Sequence, residues 1–213
     1  GGAAKPTTAI TSTQSTGVRS LLYMRLAFPE SNREPQTEAA AYEMMRQVND
    51  WFVENSYGNL YLVTTVTPLI VLPRTEAWYT SGAGADEFDV RADAQAVARQ
   101  MGYDTSSYDL DIVVYTGGPG GFGGLGYVGG KGTWLKSINV GVACHELGHN
   151  FGVWHANYWN TSGASVIGAG TNSEYGNSYD TMGSASAGDL HFNANFKAQL
   201  NWLPTPSFVH NVT

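Results

Sequence analysis

The apolar and polar positions change period several times along the chain. Residues 20–28 (SLLYMRLAF) alternate and predict a first strand; Leu60, Leu62, Thr64 and Val66 alternate again and predict a second. Between them Tyr42, Met45, Asn49 and Phe52 share one helical stripe, with Thr37 placed to cap that helix and Gly58 to stop it. A second helix is expected from Asp89 as N-cap, because Val90, Ala94, Val97, Ala98 and Met101 recur at helical spacing before Gly102. The continuous apolar run at 110–115 (LDIVVY) has the character of a buried central strand. Residues 117–132 hold too many glycines for one regular element, with a short edge strand expected at 125–128. Residues 139–151 read as a third helix, with Val140, Cys144, Leu147 and Phe151 on one face and His145 and His149 on the other. Past Gly152 the periodicity fades, until Phe196, Leu200 and Leu203 predict a closing helix over 193–203. No internal repeat is visible.

Composition narrows the class. A chain of 213 residues suits one domain, or one domain split into two lobes around a cleft. With 42% hydrophobic and 14% charged residues it can build a sizeable core. A net charge of −7 without a basic stripe argues against nucleic acid as a partner. No apolar run approaches the roughly 18 residues of a membrane span. Gly1-Gly2-Ala3-Ala4 is not a signal peptide, so an export signal and any pro-segment are expected upstream. Residues 3–16 are rich in Thr and Ser, and segment 1–17 is expected to be a linker or processed end preceding one domain at 18–213. The glycine-rich stretch matches neither G-x-x-x-x-G-K-[S/T] nor a strand–G-x-G-x-x-G–helix unit, which favours a loop system beside a cleft over a phosphate cradle.

The densest chemistry lies in His145-Glu146-Leu147-Gly148-His149-Asn150-Phe151-Gly152-Val153-Trp154-His155. Histidines at i and i+4 project from one side of a helix, about one turn apart. That spacing lets both imidazoles reach one Zn²⁺ at about 2.0–2.1 Å. Glu146 sits beside the metal-facing stripe, where it can take a proton from an activated water without being a ligand. A helix continued to His155 would turn that side chain away, so Gly152 is expected to break it and let His155 return to the metal. Three neutral imidazoles leave a fourth position for water, as in a catalytic rather than a structural zinc site.

This string matches H-E-x-x-H-x-x-G-x-x-H and resembles the signature of the metzincin metallopeptidases. Tyr179-Asp180-Thr181-Met182-Gly183 resembles the Met-turn that forms an apolar floor under the zinc ligands of that clan. Residues 142–156 (VACHELGHNFGVWHA), 174–183 (EYGNSYDTMG) and 191–203 (HFNANFKAQLNWL) are similar to the gametolysin-like peptidases. The resemblance implies an α+β zincin fold: a twisted five-stranded mixed sheet with two long helices in an upper lobe (about 18–152), and a small irregular lower lobe with a C-terminal helix (about 153–213). It implies a cleft between the lobes, in which an extended peptide pairs with the edge strand. It implies one catalytic Zn²⁺ on His145, His149 and His155, with Gly152 and Met182 supporting the site. Zinc would lower the pKa of its water to about 7, and Glu146 would accept the proton and return it to the leaving amine. The implied protein is a secreted, extracellular, monomeric endopeptidase acting on protein or peptide, with any pro-segment upstream. One departure is Ser184, which stands two residues past Met182 where astacins and serralysins carry a tyrosine; Tyr179 is not its equivalent. The sequence therefore assigns no oxyanion donor besides zinc.

Other residues invite plainer readings. His191 and His210 are expected to be structural or exposed, and the single cysteine, Cys144, to be a buried inert thiol that excludes an internal disulfide. Glu174, Asn177 and Asp180 cluster oxygen ligands suited to a structural Ca²⁺, though turn formation is the plainer reading. Asn160-Thr161-Ser162 and Asn211-Val212-Thr213 fit the glycosylation pattern. The competing function is a zinc-containing pseudo-enzyme that serves as an extracellular binding or adhesion module.

Overall fold

Strand β1 (Gly17–Ala27) organises the molecule because both of its faces are apolar: Leu21 and Tyr23 join one core, Leu22, Met24 and Leu26 the other. In this computed structural model, which describes residues 14–31, 33–82, 85–183 and 190–203, β1 pairs in parallel with β2 (Leu60–Val66) on one side and β4 (Leu110–Val114) on the other. β3 (Ile70–Val71) continues the ladder on β1 where β2 leaves off. β6 (Thr133–Leu135) runs parallel to β4, and β5 (Gly124–Gly126) closes the row antiparallel to β6. The result is an α+β structure around a mixed sheet of order β2-β1-β4-β6-β5. It has six strands rather than the expected five, because the two residues of β3 extend the pairing of β1. β6 was not foreseen either: Thr-Trp-Leu is fully buried and too short for a period to show.

Helices cover both faces of the sheet. α1 (Glu38–Asn55) and α4 (Val140–Asn150) pack on the face carrying Leu21, Tyr23, Ile112 and Val114. α3 (Glu87–Gln100) sets Val90, Ala94 and Ala98 against Leu22, Met24, Val113 and Trp134 on the other. Arg91 of α3 forks onto the buried carboxylate of Asp111 in β4 at 2.7 Å per contact, so this interior charge is paired. A single turn, α2 (Glu76–Tyr79), precedes α3, and an exposed hairpin of β7 (Tyr158–Thr161) and β8 (Gly170–Ser173) follows α4. The last α-helix among the described residues, α5 (Ala194–Gln199), returns Phe196 and Leu200 to the α1–α4 core. No helix among the described residues is long and apolar enough to cross a membrane.

Local chemistry moves several expected boundaries. α3 starts three residues early, because Asp86 caps it and Asp89 completes a capping box by accepting from the Asp86 N–H. In α1, Thr37 caps as expected, but the buried stripe is Ala41, Met45, Val48 and Phe52, with Met44 and Trp51 alongside. Tyr42 and Asn49 sit beside that stripe and bond the outer edge of β2. α5 ends at Gln199; Asn201 turns through a positive φ of 61° and Trp202, not Leu203, fills the core. Residues 14–17, expected in the N-terminal linker, are held in place: Ser15 is buried, its hydroxyl donating to the Leu200 carbonyl and its own carbonyl accepting from the Trp202 indole. Residues 1–13 of that segment lie outside the described residues.

Candidate metal centre

The site is built on α4. Asn139 caps the helix by accepting from Val142 N–H, and Cys144, Leu147 and Phe151 bury one face in the core. The opposite face carries His145 and His149. Gly152, at φ +103°, ends the helix as anticipated and turns the chain through Val153 so that His155 comes back beside the pair. One nitrogen from each of His145, His149 and His155 lies within 4.8 Å of the others.

The second nitrogen of each ring decides what the first can do. Nδ1 of His145 lies 2.9 Å from the Thr181 carbonyl, and Nδ1 of His149 lies 2.9 Å from the Val153 carbonyl. Nδ1 of His155 lies 2.7 Å from the Glu174 carboxylate. A carbonyl or carboxylate only accepts, so all three Nδ1 atoms carry the proton and all three Nε2 atoms present lone pairs. Two of those lone pairs, on His149 and His155, then face each other at 3.2 Å. A bound cation would relieve that repulsion by accepting both lone pairs. Burial also favours neutral rings, holding His145 below the ordinary imidazole range and His149 down at about 4.

Beneath the histidines, Asp180, Thr181, Met182 and Gly183 form a tight turn closed by Gly183 N–H onto the Asp180 carbonyl. Met182 is fully buried under α4. It reaches there because Gly148 has no side chain: a Cβ on Gly148 would stand 2.7 Å from the Met182 sulfur and 2.7 Å from the Phe192 ring. The same turn supplies the Thr181 carbonyl that fixes His145, so floor and ligand orientation share one loop.

Glu146 points to the side, into a cleft of about 210 Å³ lined by Gly124, Gly126, the three histidines and Tyr175 among others. Burial pushes its carboxyl up to about 8. It lies against the edge strand β5, where a Cβ on Gly124 would meet Glu146 Oε1 at 2.5 Å. The loop after β5 is tied to the end of α4, since the Asn150 amide donates to the carbonyls of Tyr127 and Gly132, and Gly129 N–H to that of His149.

The other expected residues fall elsewhere. Cys144 is fully buried and its thiol is raised well above the usual range by burial. His191 pairs with Glu54 at 3.3 Å, away from the histidine cluster. Of the oxygens considered for calcium, Glu174 orients His155, Asn177 accepts from Tyr179 N–H, and buried Asp180 accepts from Met182 N–H and Asn193 N–H. Each thus has separate work. Asn160 is exposed on β7. His210, Ser184 and residues 211–213 lie outside the described residues. Sequence reasoning missed Gly124, Gly126, Gly148 and Tyr175, and the role of Glu174 on His155. The only signal for Gly148 was a small residue on the floor side of the helix.

Comparison with known proteins adds little. No family model matches the chain, and no curated protein matches it. Among solved structures 35 chains match. One, described as "Structure of a chaperone-substrate complex", aligns with a TM-score of 0.43 and 16% identity over 74% of this chain and 28% of that one. The chain thus spans under a third of that protein, and a likeness of this size carries no argument about fold or function.

Proposed function

We propose that this chain is a zinc-dependent endopeptidase of the metzincin type, with the zincin fold and the secreted setting that its resemblance to gametolysin-like peptidases implies. One observation carries the reading: three imidazoles, each committed at Nδ1 to a protein acceptor, gather one ring nitrogen apiece within 4.8 Å of one another, in a cleft that Glu146 also lines. Neutral imidazole donors in a set of three, with a side left open to a cleft, suit Zn²⁺ in a catalytic role. The carbonyls of Thr181 and Val153 and the carboxylate of Glu174 supply the outer partners such a site requires.

Zinc, when bound, supplies Lewis acidity, drawing electron density from water and from a carbonyl oxygen. The chain's own residues do the rest. Glu146, which lines the same cleft as the three histidines, accepts the proton of the attacking water and returns it to the departing amine. β5 offers its backbone beside that carboxylate, so an extended peptide laid along it brings a scissile bond to Glu146. Purified protein should cleave unfolded casein, lose that activity to a zinc chelator and regain it with Zn²⁺. Glu146→Gln should keep one zinc while kcat falls by about 10²–10⁴-fold. Unimpaired turnover in that variant would remove Glu146 from the mechanism. Full zinc in the wild type with no cleavage would favour the binding-module reading instead.

A further inference from the structure

Tyr175 is a cleft residue that the zinc motif does not account for. It lies in the turn just after β8, and its backbone holds a positive φ of 59°, a conformation a bulky residue adopts only when its surroundings impose it. Its N–H donates to Asn157 Oδ1 at 3.2 Å. Its ring lies on His155 at 3.8 Å between centroids with a 34° tilt, and stacks at 5.9 Å over His145. The neighbouring residue, Glu174, holds the far side of the same histidine. The ring is thus fixed over the ligand cluster, lining the cleft with Glu146. Its phenolic hydroxyl makes no hydrogen bond among the described residues.

We propose that Tyr175 is a further catalytic residue of this site, its hydroxyl donating a hydrogen bond to the scissile carbonyl oxygen as that atom gains negative charge. The proposal rests on the peptidase reading. A phenol is protonated at neutral pH and needs no proton transfer to act, so it stabilises the tetrahedral state and leaves the acid–base work to Glu146. The strained backbone and the ring stack hold the donor in place before substrate arrives, as an oxyanion donor requires.

Tyr175→Phe isolates the hydroxyl, since the phenyl ring retains the stack on His155. Zinc content, kcat and KM on casein-derived peptides would be measured for wild type and variant. A second measurement would be the affinity of a phosphinic peptide built on the mapped cleavage site, whose tetrahedral anion imitates the transition state. The expected result is unchanged zinc, little change in KM, a fall in kcat of about 10²-fold, and a matching loss of affinity for the phosphinic peptide. A kcat within about twofold of wild type would overturn the proposal while leaving the peptidase reading intact. Loss of zinc in the variant would also overturn it, by making the hydroxyl a support of the metal site. A wild type that binds zinc and cleaves nothing overturns the peptidase reading, and this proposal with it.

Discussion

The two edges of the sheet are treated in opposite ways. At the β2 edge the side chains of α1 lie across the strand: Asn49 Oδ1 accepts from Leu62 N–H at 2.8 Å, and the Tyr42 hydroxyl accepts from Val66 N–H at 3.3 Å. At the β5 edge the strand is Gly-Leu-Gly, and its glycines bring backbone against Glu146 so closely that a Cβ on Gly126 would stand 2.5 Å from the Glu146 carbonyl oxygen. An unpaired edge invites another strand to add to it. This protein caps one edge with polar side chains and strips the other bare beside its candidate site. On the proposed peptidase reading, a peptide is refused at the first edge and received at the second.

Among substitutions at the two edges, crowding the open edge should have the largest effect. Gly126→Ala forces a methyl group against the backbone of α4, which does not give way easily. It should cost about 1–3 kcal/mol of stability and lower casein cleavage more than tenfold, by the usual sensitivity of rate to misplacement. Full activity in that variant would show that β5 is not the working edge. Next, Glu174→Ala frees His155 Nδ1 beside the same edge and should weaken zinc binding by about 10–100-fold, read by competition with a chromophoric chelator. Unchanged affinity would remove Glu174 from the site.

At the closed edge, Asn49→Ala leaves the Leu62 N–H without its partner. It should cost about 1 kcal/mol in urea unfolding and leave casein cleavage unaltered, whereas a fall in cleavage would couple the two edges. The smallest effect is in pH. In chelator-treated protein Glu146 is raised from 4.5 to about 8, so between those values the folded state holds more protons and stability falls as pH rises. His149 is lowered from 6.5 to about 4, so its contribution is lost as pH falls through that window. The two slopes oppose each other between 4.5 and 6.5. Above pH 6.5 the Glu146 slope stands alone, at most about 1.4 kcal/mol per pH unit, and Glu146→Gln should flatten it. A slope that survives the substitution belongs to another group.

How much could be read in advance depends on where each element gets its stability. β1, β4 and α4 bury their apolar faces, so their periodicity survives in the sequence, and α4 carries its cap and its stop in Asn139 and Gly152. β3 and β6 have two and three residues, too few to show a period. The β7–β8 hairpin is exposed along nearly its whole length and has no buried face to announce it. In the candidate site, spacing along one helix exposed His145, Glu146 and His149. The partners that arrive through space left no trace at a fixed offset: Glu174 on His155, the Thr181 carbonyl on His145, Tyr175 over the ligands and the β5 glycines against Glu146. Stripe assignment within α1 failed for a related reason, because Tyr42 and Asn49 serve a neighbouring strand rather than the core.

The most direct test of the central proposal is X-ray absorption at the zinc edge on the purified, zinc-loaded protein. One zinc per chain with three imidazole nitrogens at about 2.0–2.1 Å is the expected result, and His149→Ala should lose the metal. Absence of bound zinc, or a shell holding fewer than three imidazoles, would contradict the assignment of His145, His149 and His155 and the chemistry built on it.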